Sequence, residues 1–166
     1  MTNTNTNMRK GFTMIELIFV IVIIGILAAV AIPKLAANKD DATAATCKHE
    51  LGQIITEISG AYAASKDFAT WQAELMKNVT NITTNVGNKG TKGIVENGST
   101  KKVHGNTWTY NCDGEAMATL APATNTKTGD YQLTVTLKTA KTPANTKAVK
   151  DLKAQYNGKK TKVFTF

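Results

Sequence analysis

Glu16 is an acid placed among residues that belong in hydrocarbon. Sixteen apolar residues follow it, from Leu17 to Ile32, and Pro33 closes the run. A carboxylate in that setting costs about 2.5–3.5 kcal/mol on insertion scales, so it demands a counter-charge. A cut between Gly11 and Phe12 would supply one. The freed amine of Phe12 would stand at the membrane edge, four residues before Glu16. Gly11, lacking a Cβ, suits a protease that needs close access to the backbone.

Little else in the chain points to chemistry. His49 and His104 have no neighbouring ligand pattern, and His49 is expected on a solvated helix flank. Asp113 and Glu115 could suggest a calcium site, but Asp113-Gly114 is explained by turn geometry alone. There is no phosphate loop and no nucleophile motif. Asn78, Asn81 and Asn97 open minimal glycosylation triplets, which a Thr/Asn-rich chain contains by chance. The expectation is a chain that is no enzyme and carries no metal or cofactor.

The segment around Glu16 resembles the type IV pilin and pseudopilin family. The matching residues run from Lys10-Gly11-Phe12-Thr13-Met14-Ile15-Glu16-Leu17-Ile18 through Gly25 to Ala31-Ile32-Pro33-Lys34. The resemblance implies cleavage after Gly11 by a membrane prepilin peptidase and methylation of the Phe12 amine by the same enzyme. It implies that Glu16 pairs with the N-terminal amine of a neighbouring subunit and so sets register. Other pilin or pseudopilin subunits, an inner-membrane assembly platform and membrane lipid are the partners it implies. It also implies that the stretch between Gly25 and Pro33 can lose helicity on assembly. An ordinary signal anchor would leave the Gly-Phe-Thr-Met-Ile-Glu order unexplained. An ordinary secretory signal has a shorter apolar region and a cut after it, not before.

The flanks set topology. Arg9 and Lys10 precede the apolar run and are expected to stay cytoplasmic, with the rest of the chain outside the inner membrane. That compartment permits disulfides, and Cys47 and Cys112 are the two cysteines. A single bridge between them is the expectation; two buried free thiols are the alternative. Many members of the family carry a bridge near the C-terminus instead, and this chain departs from that pattern.

The expected parts are a leader at 1–11, a membrane and filament-core helix at 12–32, and a soluble domain at 33–166. Residues 1–7 are polar low complexity, and Met8 offers a second start that would leave a four-residue leader. The 21 residues of 12–32 would rise about 31 Å, enough for a bilayer core. Gly25 and Pro33 are candidate breaks in that helix. Beyond it an amphipathic segment is expected over 33–64, with Leu51, Ile54, Ile55, Ile58 and Tyr62 on the helical stripe and Cys47 inward. A second short helix is expected over 66–77, capped by Ser65 and burying Phe68, Trp71 and Leu75. Residues 78–106 read as loop. The sheet is expected over 107–138: Thr107–Cys112, the Asp113-Gly114 turn, Glu115–Leu120, then Asp130–Lys138 with Tyr131, Leu133, Val135 and Leu137 inward. Pro122 and Pro143 read as loop punctuation. Val149, Leu152 and Tyr156 suggest a terminal helix, and 162–166 a last strand. The fold class is α+β: a long N-terminal helix packed on three or four antiparallel strands.

Net charge is +8, or +6 once the two cations Arg9 and Lys10 leave with the leader. From Lys89 onward there are thirteen Lys against five acids. Such a surface attracts acidic partners such as nucleic acid or lipid headgroups. Along the sequence, however, the Lys are scattered, with no interleaved aromatics, so specific nucleic-acid recognition is not the expectation. The functional reading is a filament subunit. A secretion pseudopilin is slightly favoured by the small domain without a C-terminal disulfide loop. A surface pilin for adhesion, motility or DNA uptake is the alternative, and an anchored domain that never polymerises is a third class.

Overall fold

The computed structural model describes residues 11–65, 76–84, 93–95, 103 and 105–166. The chain divides into two units, Met1–Lys39 and Asp40–Phe166. Helix α1, Met14–Ala64, is 51 residues long and runs through both. The expected break at Gly25 and Pro33 is not present in this single chain: α1 continues through both residues. Proline removes one hydrogen bond and crowds the preceding turn, a cost of about 3 kcal/mol. Long flanks of Ile, Leu and Ala keep the helix intact on either side.

In the first unit the apolar side chains of α1 are bare. Phe19, Val30 and Ile32 are each more than three-fifths exposed, at 66%, 72% and 65%. The helix is long and apolar enough to cross a membrane by length and composition.

In the second unit α1 presents Ala44, Cys47, Leu51, Ile54 and Ile58 to the core, spaced three and four apart. At its end the Ser65 hydroxyl donates to Tyr62 O (2.6 Å) and the Ser65 N–H to Ala61 O (3.1 Å). Ser65 thus closes α1; the helix it was expected to cap begins outside the described residues. Residues 66–75 of that expected helix lie outside the described residues; helix α2 spans Met76–Val79.

Among the described residues six strands form one sheet in sequence order: β1 Thr83–Thr84, β2 Gly93–Val95, β3 Trp108–Cys112, β4 Glu115–Thr124, β5 Tyr131–Leu137 and β6 Thr161–Thr165. β1 and β2 pair in parallel, and every later pair is antiparallel. The sheet is larger than the expected three or four strands. The additions, β1 and β2, hold two and three residues, too few to show alternation in a Thr/Asn/Gly-rich stretch. β5 buries Tyr131, Leu133, Val135 and Leu137 and half-exposes the residues between them, the expected alternation.

Asp113 and Gly114 join β3 to β4 at φ of 51° and 78°, the positive values a two-residue hairpin turn requires. Pro122, expected in a loop, lies within β4 opposite Leu133. Its carbonyl accepts from Gly105 N–H (3.2 Å), so its nitrogen also faces away from β5, beyond the end of β3. No ladder hydrogen bond is lost there, which is the condition under which a strand tolerates proline.

Helix α3, Pro143–Gln155, follows β5 with Thr142 as N-cap and proline in its first turn. It buries Ala144, Ala148, Val149 and Leu152, and Tyr156 follows in the same core. Tyr131 is sandwiched in that core, its ring 4.5 Å from Tyr62 and 5.9 Å from Phe166.

Candidate assembly site and its supporting domain

The first turn of α1 explains how Glu16 is held. Thr13 stands just before the helix. Its N–H and hydroxyl both donate to Glu16 Oε2, at 2.8 and 2.7 Å, and its hydroxyl oxygen accepts from Glu16 N–H at 3.3 Å. This reciprocal Thr-x-x-Glu arrangement is a capping box. It uses one carboxylate oxygen and fixes the rotamer. Thr13 is not among the residues expected to act, although Thr13-Met14-Ile15-Glu16 carries the capping signal. Gly11 and Phe12 precede the helix, outside regular structure and exposed. The bond between them is therefore reachable, and Phe12 stands one residue before the box.

Hydrogen bonding within one turn satisfies Glu16 as an acceptor but does not cancel its charge. The helix N-terminus supplies only a partial positive charge. The apolar face after it covers the full circumference, so it must meet lipid or other apolar helices. An acid at the start of such a surface is therefore suited to pair with a cation brought by a neighbour.

The second unit is tied together by a disulfide, by buried hydrogen bonds and by ion pairs. Cys47 on α1 and Cys112 on β3 form a disulfide with Cα atoms 5.9 Å apart, both residues fully buried. Beside it the Tyr110 hydroxyl donates to Glu50 Oε2 at 2.8 Å and lies 3.3 Å from Cys47 O. Burial, then the adjacent Glu50 carboxylate, pushes the Tyr110 hydroxyl far above its ordinary range.

Glu115 ties β4 to the start of α3. Its Oε1 accepts from Lys141 N (2.7 Å), Thr142 N (2.9 Å), Asn145 Nδ2 (3.2 Å) and Thr142 Oγ1 (3.3 Å), all at the start of α3. Burial pushes this carboxyl up, but the hydrogen bonds outweigh it and hold it below its ordinary value. Asn145 reaches on to Cys112 O at 2.5 Å. Glu115 therefore serves the fold. Two ion pairs, Lys48 with Asp151 and Lys147 with Asp41, join α1 to α3. The disulfide is the bridge expected from the two cysteines; the other partnerships had no sequence signature, because the partners lie 26–106 residues apart.

His49 is exposed, and His104 lies outside the described residues. Among the described residues no group of three His, Cys, Asp or Glu side chains is placed to hold a metal ion.

A family model described as the prokaryotic N-terminal methylation motif matches residues 6–32. The type IV narrow pilus major component PilA5 of Thermus thermophilus is 34% identical over 126 residues, covering 76% of this chain and 97% of that protein. The type II secretion system core protein G of Escherichia coli is 49% identical over 37 residues, covering 22% of this chain and 26% of that protein. No solved structure matches the chain.

Proposed function

Because the chain belongs to the type IV pilin and pseudopilin family, we propose that it is the pilin of a surface filament, assembled through Glu16 and the helix behind it. Members of this family are structural subunits, not enzymes; they are processed by prepilin peptidase and assemble with other pilin subunits. The methylation motif and the long apolar helix fit anchorage in the inner membrane.

The surface reading rests on one observation. The identity to a pilus major component extends over 97% of that protein, and so through its globular part as well as its anchor. The secretion reading, favoured slightly by the sequence, has support of its own in the 49% identity to core protein G, but that match spans only 37 residues.

In the proposed mechanism the chain sits in the inner membrane with Arg9 and Lys10 cytoplasmic and 33–166 outside. Prepilin peptidase cuts between Gly11 and Phe12 and methylates the new amine. Replacing one N–H hydrogen by a methyl group, with loss of a proton, leaves a basic secondary amine that is protonated again, so its positive charge remains. At the assembly platform that amine, on the incoming or the resident subunit, meets the Glu16 carboxylate of its neighbour, already oriented by Thr13. An unpaired carboxylate among packed apolar helices costs several kcal/mol, so only the pairing register is populated. The helices of 12–32 then pack side by side, and the Gly25–Pro33 stretch is where α1 yields most readily.

The test is to shear filaments from cells and probe them for this chain, with a deletion strain in parallel. Labelled surface fibres and unchanged export of secreted enzymes are expected. Absence of the chain from fibres, with enzyme export lost on deletion, would replace the surface reading with the secretion one.

A further inference from the structure

The Lys that look scattered in sequence are gathered by the fold. Lys150 and Lys153 lie one turn apart on α3, Lys138 follows β5 directly, and Lys160 precedes β6. The two strand ends are held together where Leu137 N–H donates to Lys160 O at 2.8 Å. Between helix and strand ends lies an open cleft of about 550 Å³ lined by these four Lys, with Thr139 and Thr146 between them and no acid in its wall. Among the described residues none of the four makes a salt bridge. The nearest acid in sequence, Asp151, is hydrogen-bonded by Lys48; it is not part of the wall, although its charge also reaches Lys150.

Four cations around a concave surface, unneutralised from within, raise the local positive potential and concentrate anions there. We infer that this cleft binds the phosphodiester backbone of double-stranded DNA without reading base sequence. Lys ammonium groups and Thr hydroxyls are phosphate-contacting donors. No Arg lines the cleft to fork onto a base edge, so the contact carries no sequence. No aromatic lines it either, so it lacks the stacking platform that favours single strands. Anionic lipid headgroups would meet the same cations, but Val149 in the wall is only 5% exposed and so offers no apolar anchor to add to that attraction. The inference stands whether the filament serves a pilus or secretion, since it uses only the second unit.

The test uses the full chain in a neutral detergent and a labelled mixed-sequence duplex, with binding followed by fluorescence anisotropy at stepped salt. Four phosphate contacts predict a slope of log K on log salt of about −3.6. Doubling the salt should then weaken binding by roughly tenfold. Lys150→Gln/Lys153→Gln should lower the slope by about 2, and Lys138→Gln/Lys160→Gln by a similar amount. Lys127→Gln/Lys141→Gln removes the same charge outside the cleft and should leave the slope unchanged. Circular dichroism should show all three variants folded. Equal losses for all three pairs, or no binding at low salt, would overturn the assignment. So would single strands binding as tightly as duplex, or anionic vesicles displacing it more effectively than unlabelled duplex does.

Discussion

Opening the Cys47–Cys112 bridge should cost the second unit a large share of its stability. The cysteines are 65 residues apart, and the chain-entropy relation for a loop of that size gives about 4 kcal/mol at 25 °C. Domains of this size are stable by only about 5–15 kcal/mol, so the loss is of the same order as the whole. Both cysteines are fully buried, so the reduced thiols need no water to return and the folded state changes little. The effect should fall mainly on the unfolded chain. The assay is urea unfolding of the full chain in detergent, oxidised and reduced, followed by tryptophan fluorescence; Trp108 is buried, with 2% exposure. At an m-value of about 2 kcal/mol/M the midpoint should drop by about 2 M on reduction. Cys47→Ala/Cys112→Ala should match the reduced protein or fall slightly below it, since two small voids are added. Coincident oxidised and reduced curves would refute the reasoning, because the bridge would then constrain nothing the unfolded chain explores.

Glu115→Ala leaves the Lys141 and Thr142 N–H groups and buried Asn145 without their shared acceptor, and should cost about 1–3 kcal/mol in thermal or urea melts. Because Glu115 is held below its ordinary value of 4.5, its contribution is full above that pH and lost as pH falls through the lower folded value; the variant should show a flatter acid limb. Tyr110→Phe should destabilise by about 1–2 kcal/mol through loss of the bond to Glu50. The Tyr110 hydroxyl is raised above its ordinary 10.0, so its stabilisation is present below that pH and fades as pH climbs beyond it; alkaline melts of wild type and variant should converge. Glu16→Ala should leave the Gly11–Phe12 cut intact on immunoblots yet abolish incorporation into filaments; normal incorporation would remove Glu16 from the mechanism.

What could be read from the sequence followed signal length. The apolar run to Ile32, the inward stripe Cys47–Leu51–Ile54–Ile58 and the alternation of β5 each repeat a period often enough to be recognised. The Asp113-Gly114 turn needs two particular residues and showed both. β1 and β2 are too short to display any period, and Pro122 is tolerated in β4 only because of where β3 ends, a fact of register. The four-Lys cleft is likewise a product of topology: Lys138 and Lys160 are brought together by the β5–β6 ladder, and α3 folds over from between them. Thr13 is legible through its Thr-x-x-Glu spacing to Glu16, a signal carried by a hydroxyl and an N–H and not by a charge. Gly25 and Pro33 mark where α1 is weak, but weakness in a long helix need not become a break without a neighbour to exploit it.

Mass spectrometry of the chain extracted from membranes tests the central claim most directly. The account predicts a mature N-terminal peptide that begins at a methylated Phe12. An intact peptide spanning Gly11 and Phe12 as its only form would contradict it, because Glu16 would then have no amine to receive.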